Sequence, residues 1–401
     1  MANYTYSARD DYGKIVRGAM EAKDDTELAN KISNLGYFLV RAKVASSYTE
    51  VSAKFSRLNP KEVLNFTIHL ATLLNAGVSL AQSLRDLVND TDNESLKKVI
   101  DDIRYRVEAG TSLKDAVSFH PQSFSKLFAA IVGAGESTGK LSMCLNDLAN
   151  LLDWQLELKA KIKEAATYPL ILFFVMVSVV ALLVVKVIPS FEPIFAQAGR
   201  KLPLPTQIVL GVSHSARDYW YVVAIIIGVC IIGYKLYNST LKGRYILDTL
   251  KLKYPLFGPL ARKVALSRFC HTFSLALKSG VNVLAALDIA GEVVGNSRLA
   301  QVVAKARDSV NVGEKLAVSL KVSGEFPPLI IRMISVGEQS GSLTLTLEKV
   351  NQFYDREVPA TIRKMFALVE PMMIIIMGTI VGGIALSIFL PMFKMADFVG
   401  G

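Results

Sequence analysis

The sequence is short of the residues that build most metal, disulfide and catalytic sites. Its three cysteines, Cys144, Cys230 and Cys270, lie far apart, which excludes a disulfide framework and a cysteine-based zinc site. Its four histidines never take the HExxH spacing, so no zinc-hydrolase pattern is present. Charge is also sparse: 20% of the 401 residues are charged against 51% hydrophobic, and the mean hydropathy is +0.36. Such a chain is neither disordered nor collagen-like, and membrane segments are expected. The opening MANYTYSARDDYGK lacks a basic stretch followed by an apolar run. No cleavable signal peptide is expected, so membrane segments should be internal anchors.

Three charge-poor runs have the roughly 20 residues that a bilayer core requires. They cover 168–189, 219–237 and 367–391, with Lys186 and Lys235 near the ends of the first two, where a long side chain can snorkel. The competing reading of each is a buried core helix. Lys159, Lys161 and Lys163 precede the first run, a cluster from Lys242 to Arg268 follows the second, and Arg363 and Lys364 precede the third. By the positive-inside rule the N-terminus and 238–366 face the cytoplasm, while 190–218 and the tail 392–401 face the other side.

The chain also repeats itself. FTIHLATLLNAGVSLAQSL (66–84) matches FCHTFSLALKSGVNVLAAL (269–287) at an offset of 203 residues. The offset pairs Gly77 with Gly280, Asn93 with Asn296 and Gly110 with Gly313. After a one-residue slip, Phe124 pairs with Phe326 and AGESTGKL (134–141) with VGEQSGSL (336–343). The same register pairs Pro169 with Pro371 and Pro189 with Pro391. The repeated unit is therefore a helical domain followed by one membrane helix. The middle run, without a counterpart, returns the chain so that both domains share one side. Leu70, Leu73, Leu74 and Val78, like Phe273, Leu277, Val281 and Leu284, follow helical spacing. Gly77, Gly110, Gly139 and their partners mark helix ends.

Residues 1–50 differ, with strand-like alternation around a Tyr-Gly turn, then a helix capped near Asp25 and ended by Gly36, then a strand. The expected fold class is mainly α: a polytopic membrane protein with two homologous cytoplasmic helical-bundle domains, three transmembrane helices and a small N-terminal α/β module. The expected boundaries are the module at 1–50, a linker at 51–65, the first copy at 66–167, the second at 269–366 and a cytoplasmic connector at 238–268. Residues 190–218 are expected as a periplasmic loop and 392–401 as a periplasmic tail.

Catalytic readings fail one after another. AGESTGKL resembles a Walker A loop, but Leu141 stands where magnesium needs Ser or Thr, 124–133 reads as helix, and Lys140 pairs with Ser342. A helix–turn–helix junction explains it as well. Glu136 and Glu338, with Gly139 and Gly341, form a duplicated GExxG. Each carboxylate could cap a helix start, contact a subunit or partner, or serve as half of a cation site. His69 pairs with Thr272, not His271, while His120 and His214 read as loop residues. No nucleophile–base pair, metal set or cofactor set is expected, and no nucleic-acid motif occurs. Glu370, just before Pro371, could pair with Arg363 or a partner helix, or lie exposed at headgroup level. Gly378-x3-Gly382 and Gly383-x3-Ser387 either pack on another membrane helix or are simply tolerated glycines.

Together the duplicated helical domain, GExxG, the Pro opening each span and the closing Pro-x-Phe resemble the PilC/GspF family of platform proteins from type IV pili and type II secretion. YSARDDYGKIVRG and LPMFKM fit it too. The resemblance implies a non-enzymatic protein of the bacterial inner membrane. It implies contacts with a hexameric cytoplasmic assembly or retraction ATPase, with pilin or pseudopilin subunits, with other inner-membrane assembly proteins and with further copies of itself. Some secretion-branch members are linked to calcium at acidic residues, but no second acidic residue repeats beside Glu136 and Glu338. A transporter or a membrane-anchored receptor are the alternatives. The first lacks repeated intramembrane charge, and the second lacks a sizeable outer domain.

Net charge separates the copies. Residues 1–168 hold 21 Lys+Arg and 21 Asp+Glu, whereas 235–366 hold 19 against 10. Nearly all of the net +10 therefore belongs to the second copy and its entry segment. That is a positive-inside pattern suited to anionic lipid or an acidic partner face, and the two copies are expected to make different contacts.

Overall fold

The computed structural model describes residues 2–9, 15–22, 25–34, 37–44, 57–197, 204–255 and 257–399. The chain divides into two compact units, residues 1–57 and 58–401.

In the first unit, strands β1 (Ala2–Arg9), β2 (Ile15–Ala22) and β3 (Phe38–Val44) form an antiparallel sheet in the order β2-β1-β3. A bulge interrupts the β1–β3 register between Ser7 and Ala8. Helix α1 (Asp25–Asn34) buries Leu28 and Ile32, one turn apart on a single face. The Tyr-Gly turn, Gly36, and residues 45–56, which end the expected module and begin the expected linker, lie outside the described residues.

The second unit is helical. Its first copy comprises α2 (Pro60–Asn75), α3 (Leu80–Asp90), α4 (Glu94–Glu108), α5 (Leu113–Ser118), α6 (Lys126–Ser137) and α7 (Leu141–Leu182). A π-helical turn, Leu183–Val187, links α7 to α8 (Ile188–Gln197). Then come α9 (Leu204–Asp218), α10 (Trp220–Ser239) and α11 (Leu241–Lys253). The second copy comprises α12 (Gly258–Lys278), α13 (Val283–Val293), α14 (Ser297–Asn311), α15 (Leu316–Val322), α16 (Pro328–Ser340) and α17 (Leu343–Val399). Helix for helix, α12–α17 repeat α2–α7.

Local chemistry sets these helix starts. Asn59 accepts from Lys61 N–H while Glu62 reaches back to Asn59 N–H, with Pro60 as the first helical residue. This capping box starts α2 inside the expected linker, so residues 60–65 are helix. Asn93 and its repeat partner Asn296 cap α4 and α14 in the same way. The same packing recurs in both cores. Phe66 and Phe124 meet edge-on with centroids 5.7 Å apart, and their partners Phe269 and Phe326 do so at 5.4 Å.

Two further boundaries differ from the sequence reading. The connector 238–268 is helical, holding α11 and the first half of α12. Residues 190–197 belong to α8 and 204–218 form α9 rather than a plain loop, with Thr206 and Ser213 of α9 buried. Nor does a break separate each bundle from its apolar helix. α7 and α17 run unbroken from bundle into apolar run, with Pro169 inside α7. Leu141–Phe191 and Leu343–Leu390 are long and apolar enough to cross a membrane. Their large apolar side chains, such as Phe174, Ile374 and Ile375, are exposed in the isolated chain.

Candidate functional site

Each residue of the duplicated GExxG has its own task. The first glycine lets two helices touch. A Cβ on Gly135 would lie 2.9 Å from Cys144 Cβ and 3.0 Å from Leu141 Cα. At Gly337 it would lie 2.8 Å from Leu343 Cα and also strike Thr346. These are repeat-equivalent contacts, pinning α6 to α7 and α16 to α17. The glutamate then caps a different helix. Glu136 accepts from the N–H groups of Leu113 (2.8 Å) and Lys114 (3.2 Å). Glu338 accepts from Leu316 (2.6 Å) and Ala317 (3.0 Å). A carboxylate there also faces the positive end of the helix dipole. The last glycine makes the turn: Gly139 and Gly341 have φ of +68° and +66°, where a side chain is strained.

The two caps are unequal. Ser112 also caps α5 through Asp115 N–H, whereas its counterpart Lys315 makes no such bond at α15. Glu338→Ala is therefore expected to cost about 1–2 kcal/mol of stability, more than Glu136→Ala. Thermal unfolding of the detergent-solubilised variants measures this, and equal midpoints for the two would contradict the assignment.

The copies are tied to one another asymmetrically. The Trp154 indole stacks on the His271 ring with centroids 4.0 Å apart and 16° between planes. Trp154 Nε1 donates to Asp355 Oδ1 at 2.8 Å, and His271 Nε2 lies 3.3 Å from the same oxygen. His271 Nδ1 faces the Ser267 carbonyl at 3.0 Å, so both ring nitrogens face acceptors. Burial would raise the Asp355 carboxyl, but the His271 and Trp154 bonds outweigh it and hold it below the usual range. Lys278–Asp147 (2.9 Å) and Lys126–Glu292 (2.6 Å) add ion pairs across the same seam.

At the far ends of the long helices, α9 contacts both copies through hydroxyls. Proline lacks an N–H, so Pro391 cannot donate to the carbonyl four residues back, that of Ser387. Thr206 Oγ1 donates to that carbonyl at 2.7 Å. In the π-helical turn, Ile188 N–H bonds to the Leu183 carbonyl five residues back. The next donor in that register would be residue 189, which is proline, leaving the Val184 carbonyl. Ser213 Oγ donates to it at 2.5 Å. Both hydroxyl residues are buried. Beside them lies a largely apolar cleft of about 460 Å³ lined by Val184, Val212, Ile380 and Ser387 among others.

The remaining candidates fall as follows. Glu370 accepts from Tyr168 Oη at 3.1 Å, and these are repeat-equivalent positions, immediately before Pro169 and Pro371. Among the described residues, nothing lies within 4 Å of a Cβ built on Gly378, Gly382 or Gly383, so the helices described here do not close on that face. His120 lies in a loop, as the sequence suggests, but it is buried there. It is 3% exposed with Nε2 2.8 Å from Asp102 Oδ2, and burial holds its pKa below the ordinary imidazole value against the pull of that carboxylate. His214 lies within α9 rather than a loop. Lys140 opens α7 directly after a helix, α6. Among the described residues, no three His, Cys, Asp or Glu side chains gather as a metal set.

Sequence reasoning passed over Trp154, Asp355, Thr206 and Ser213, and weighed His271 only as a catalytic residue. None repeats as part of a motif. The seven-residue spacing of Thr206 and Ser213 puts them on one helix face and was the available signal.

Comparison with known proteins gives matches along nearly the whole chain. A family model described as type II secretion system (T2SS), protein F, matches twice, over residues 66–189 and 269–391. One for the N-terminal domain of type II secretion system protein F matches residues 1–43. The type IV pilus assembly protein PilC of Thermus thermophilus is 36% identical over 400 residues, covering 98% of each chain. PilC of Myxococcus xanthus is 35% identical over 400 residues, 99% of this chain and 96% of that protein. Type II secretion system protein F of Xanthomonas campestris pv. campestris is 32% identical over 405 residues, 100% of both.

Proposed function

This chain belongs to the type II secretion system protein F family, and we infer that it works as an inner-membrane platform protein of a type IV pilus or type II secretion machine. The observation that carries this is the twofold family match combined with relatives of both machines aligned over the full chain. The platform couples a cytoplasmic ATPase to the assembly or disassembly of filaments built from pilin or pseudopilin subunits, alongside other inner-membrane assembly proteins and copies of itself. No catalytic role is assigned to it.

In this reading α7, α10 and α17 each cross the bilayer, with the N-terminus and both bundles in the cytoplasm. The 20 residues of α10 rise about 30 Å, the thickness of a hydrocarbon core. Unbroken α7 and α17 support direct coupling, since a rigid turn of either bundle swings the membrane helix that continues it. The basic second copy faces anionic lipid or an acidic partner.

Deleting the gene and scoring surface filaments and secreted proteins tests the reading. Loss of one or the other is expected, and crosslinking from the two bundles should then capture the ATPase. A deletion strain with both intact would refute it. Pro169 and Pro371 are assigned the junction geometry, and the open Gly378/Gly382 face a second membrane helix. Pro169→Ala with Pro371→Ala, and Gly378→Leu with Gly382→Leu, are each expected to reduce filaments. Wild-type filament counts in either pair would remove that assignment.

A further inference from the structure

We propose that α11 is a membrane-surface helix that beds into the anionic cytoplasmic leaflet and fixes the second copy against the bilayer. The proposal rests on the reading that α10 crosses the membrane, and extends it to a segment that no family motif covers.

Only Thr240 separates α10 from α11, and it caps α11 through Gly243 N–H. Gly243 packs against the Tyr237 carbonyl so closely that a Cβ would collide with it. The chain therefore turns sharply where it leaves the apolar run, and α11 starts at headgroup level.

The two faces of α11 are chemically opposed. The inner face is bolted to the second copy. Asp248 Oδ2 accepts from Ser297 N–H (2.9 Å) and Ser297 Oγ (2.6 Å), while Asn296 Nδ2 donates to the Asp248 carbonyl at 3.0 Å. Leu252 is buried beside it. The outer face carries Ile246 and Leu250, 46% and 52% exposed, with Leu247 beyond Leu250 on the helical wheel. At helical spacing Lys242 and Lys253 border this stripe on one side, and Arg244 and Lys251 on the other. Lys251 also reaches Asp248 at 2.9 Å.

An apolar stripe flanked by cations on both edges is the pattern of a helix lying in a leaflet. The leucine and isoleucine side chains enter the acyl boundary while Lys and Arg reach phosphate. An acidic protein would match the cations but not the central aliphatic stripe. The bilayer matches both, and α10 already delivers the helix to it.

The test uses full-length protein in phosphatidylglycerol-containing vesicles with a polarity-sensitive fluorophore on single cysteines. Cys144 and Cys270 are buried and Cys230 is exposed on α10, so native Cys230 reports the span. Leu250→Cys in a Cys230→Ser background reports α11, and Val322→Cys on the exposed end of α15 is the control. The expected result is blue-shifted emission and strong quenching by brominated acyl chains at Leu250→Cys, but not at Val322→Cys. Lys242→Glu with Arg244→Glu should abolish the Leu250→Cys signal and leave that of Cys230 intact.

A Leu250→Cys probe open to iodide while Cys230 is lipid-quenched overturns the proposal. So does a blue shift that persists without anionic lipid and rises with protein concentration, since a second copy would then cover the face. Absence of lipid quenching at Cys230 would instead defeat the reading that α10 spans.

Discussion

Thr206→Val is expected to destabilise the packing of α9 on the long apolar helices of this platform protein, and Pro391→Ala is expected to rescue it. The valine is nearly isosteric, so the packing around Thr206 is kept while its donor is lost. The Ser387 carbonyl, which Thr206 serves at 2.7 Å, is then left without its helical donor because residue 391 is proline. An unpaired buried carbonyl costs about 1–3 kcal/mol in proteins and more where hydrocarbon excludes water. Pro391→Ala returns an N–H four residues on, and the hydroxyl becomes dispensable. A double-mutant cycle on thermal unfolding in detergent should yield a coupling of about 1–3 kcal/mol. Additive effects would show that the hydroxyl and the proline act independently. Ser213→Ala with Pro189→Ala is the matching pair at the Val184 carbonyl. Single variants at either position should also lower filament counts, since α9 ties together the far ends of the two long helices.

Trp154→Ala is expected to loosen the seam between the two helical copies by about 2 kcal/mol, the sum of a stacked ring pair and a hydrogen bond to a carboxylate. Trp154→Phe keeps the stack on His271 but not the bond to Asp355, so it should lose about half as much. Acid exposes the same tie. Asp355 is held below the usual carboxylate range in the folded chain, so the unfolded chain takes up the proton first. Its contribution is full above about pH 4, the ordinary carboxylate value, and is lost as pH falls through the lower folded value. The midpoint of Asp355→Asn should therefore lie below that of the parent by a constant margin above pH 4. The margin should shrink in stronger acid. A margin independent of pH throughout would rule out an ionised Asp355 at the seam.

How much of this was legible beforehand varies with the range of the interaction. The repeat was readable because α2–α7 and α12–α17 each need the same apolar period and the same caps, and these are local demands on side chains. GExxG was visible as a pair of matching strings. Its tasks were not, because Glu136 caps a helix that starts 23 residues earlier and Gly135 makes room for a helix that follows the turn. The sequence already suggested that the copies would differ, through the charge of the second. The contact that distinguishes them joins Trp154 and His271, which break the repeat and so carried no signal within it, to Asp355, whose repeat counterpart is Asp153.

The sequence by itself determined the duplication, the apolar runs and the helix ends, since hydrophobic periodicity, capping and proline geometry act within a few residues along the chain. Tertiary structure alone decided which unsatisfied group meets which donor. Thr206 finds Ser387 across 181 positions and Ser213 finds Val184 across 29. In a low-dielectric interior a carbonyl left by a proline must find a partner, but nothing in the local pattern names it. That depends on how α9 folds back between two distant helices.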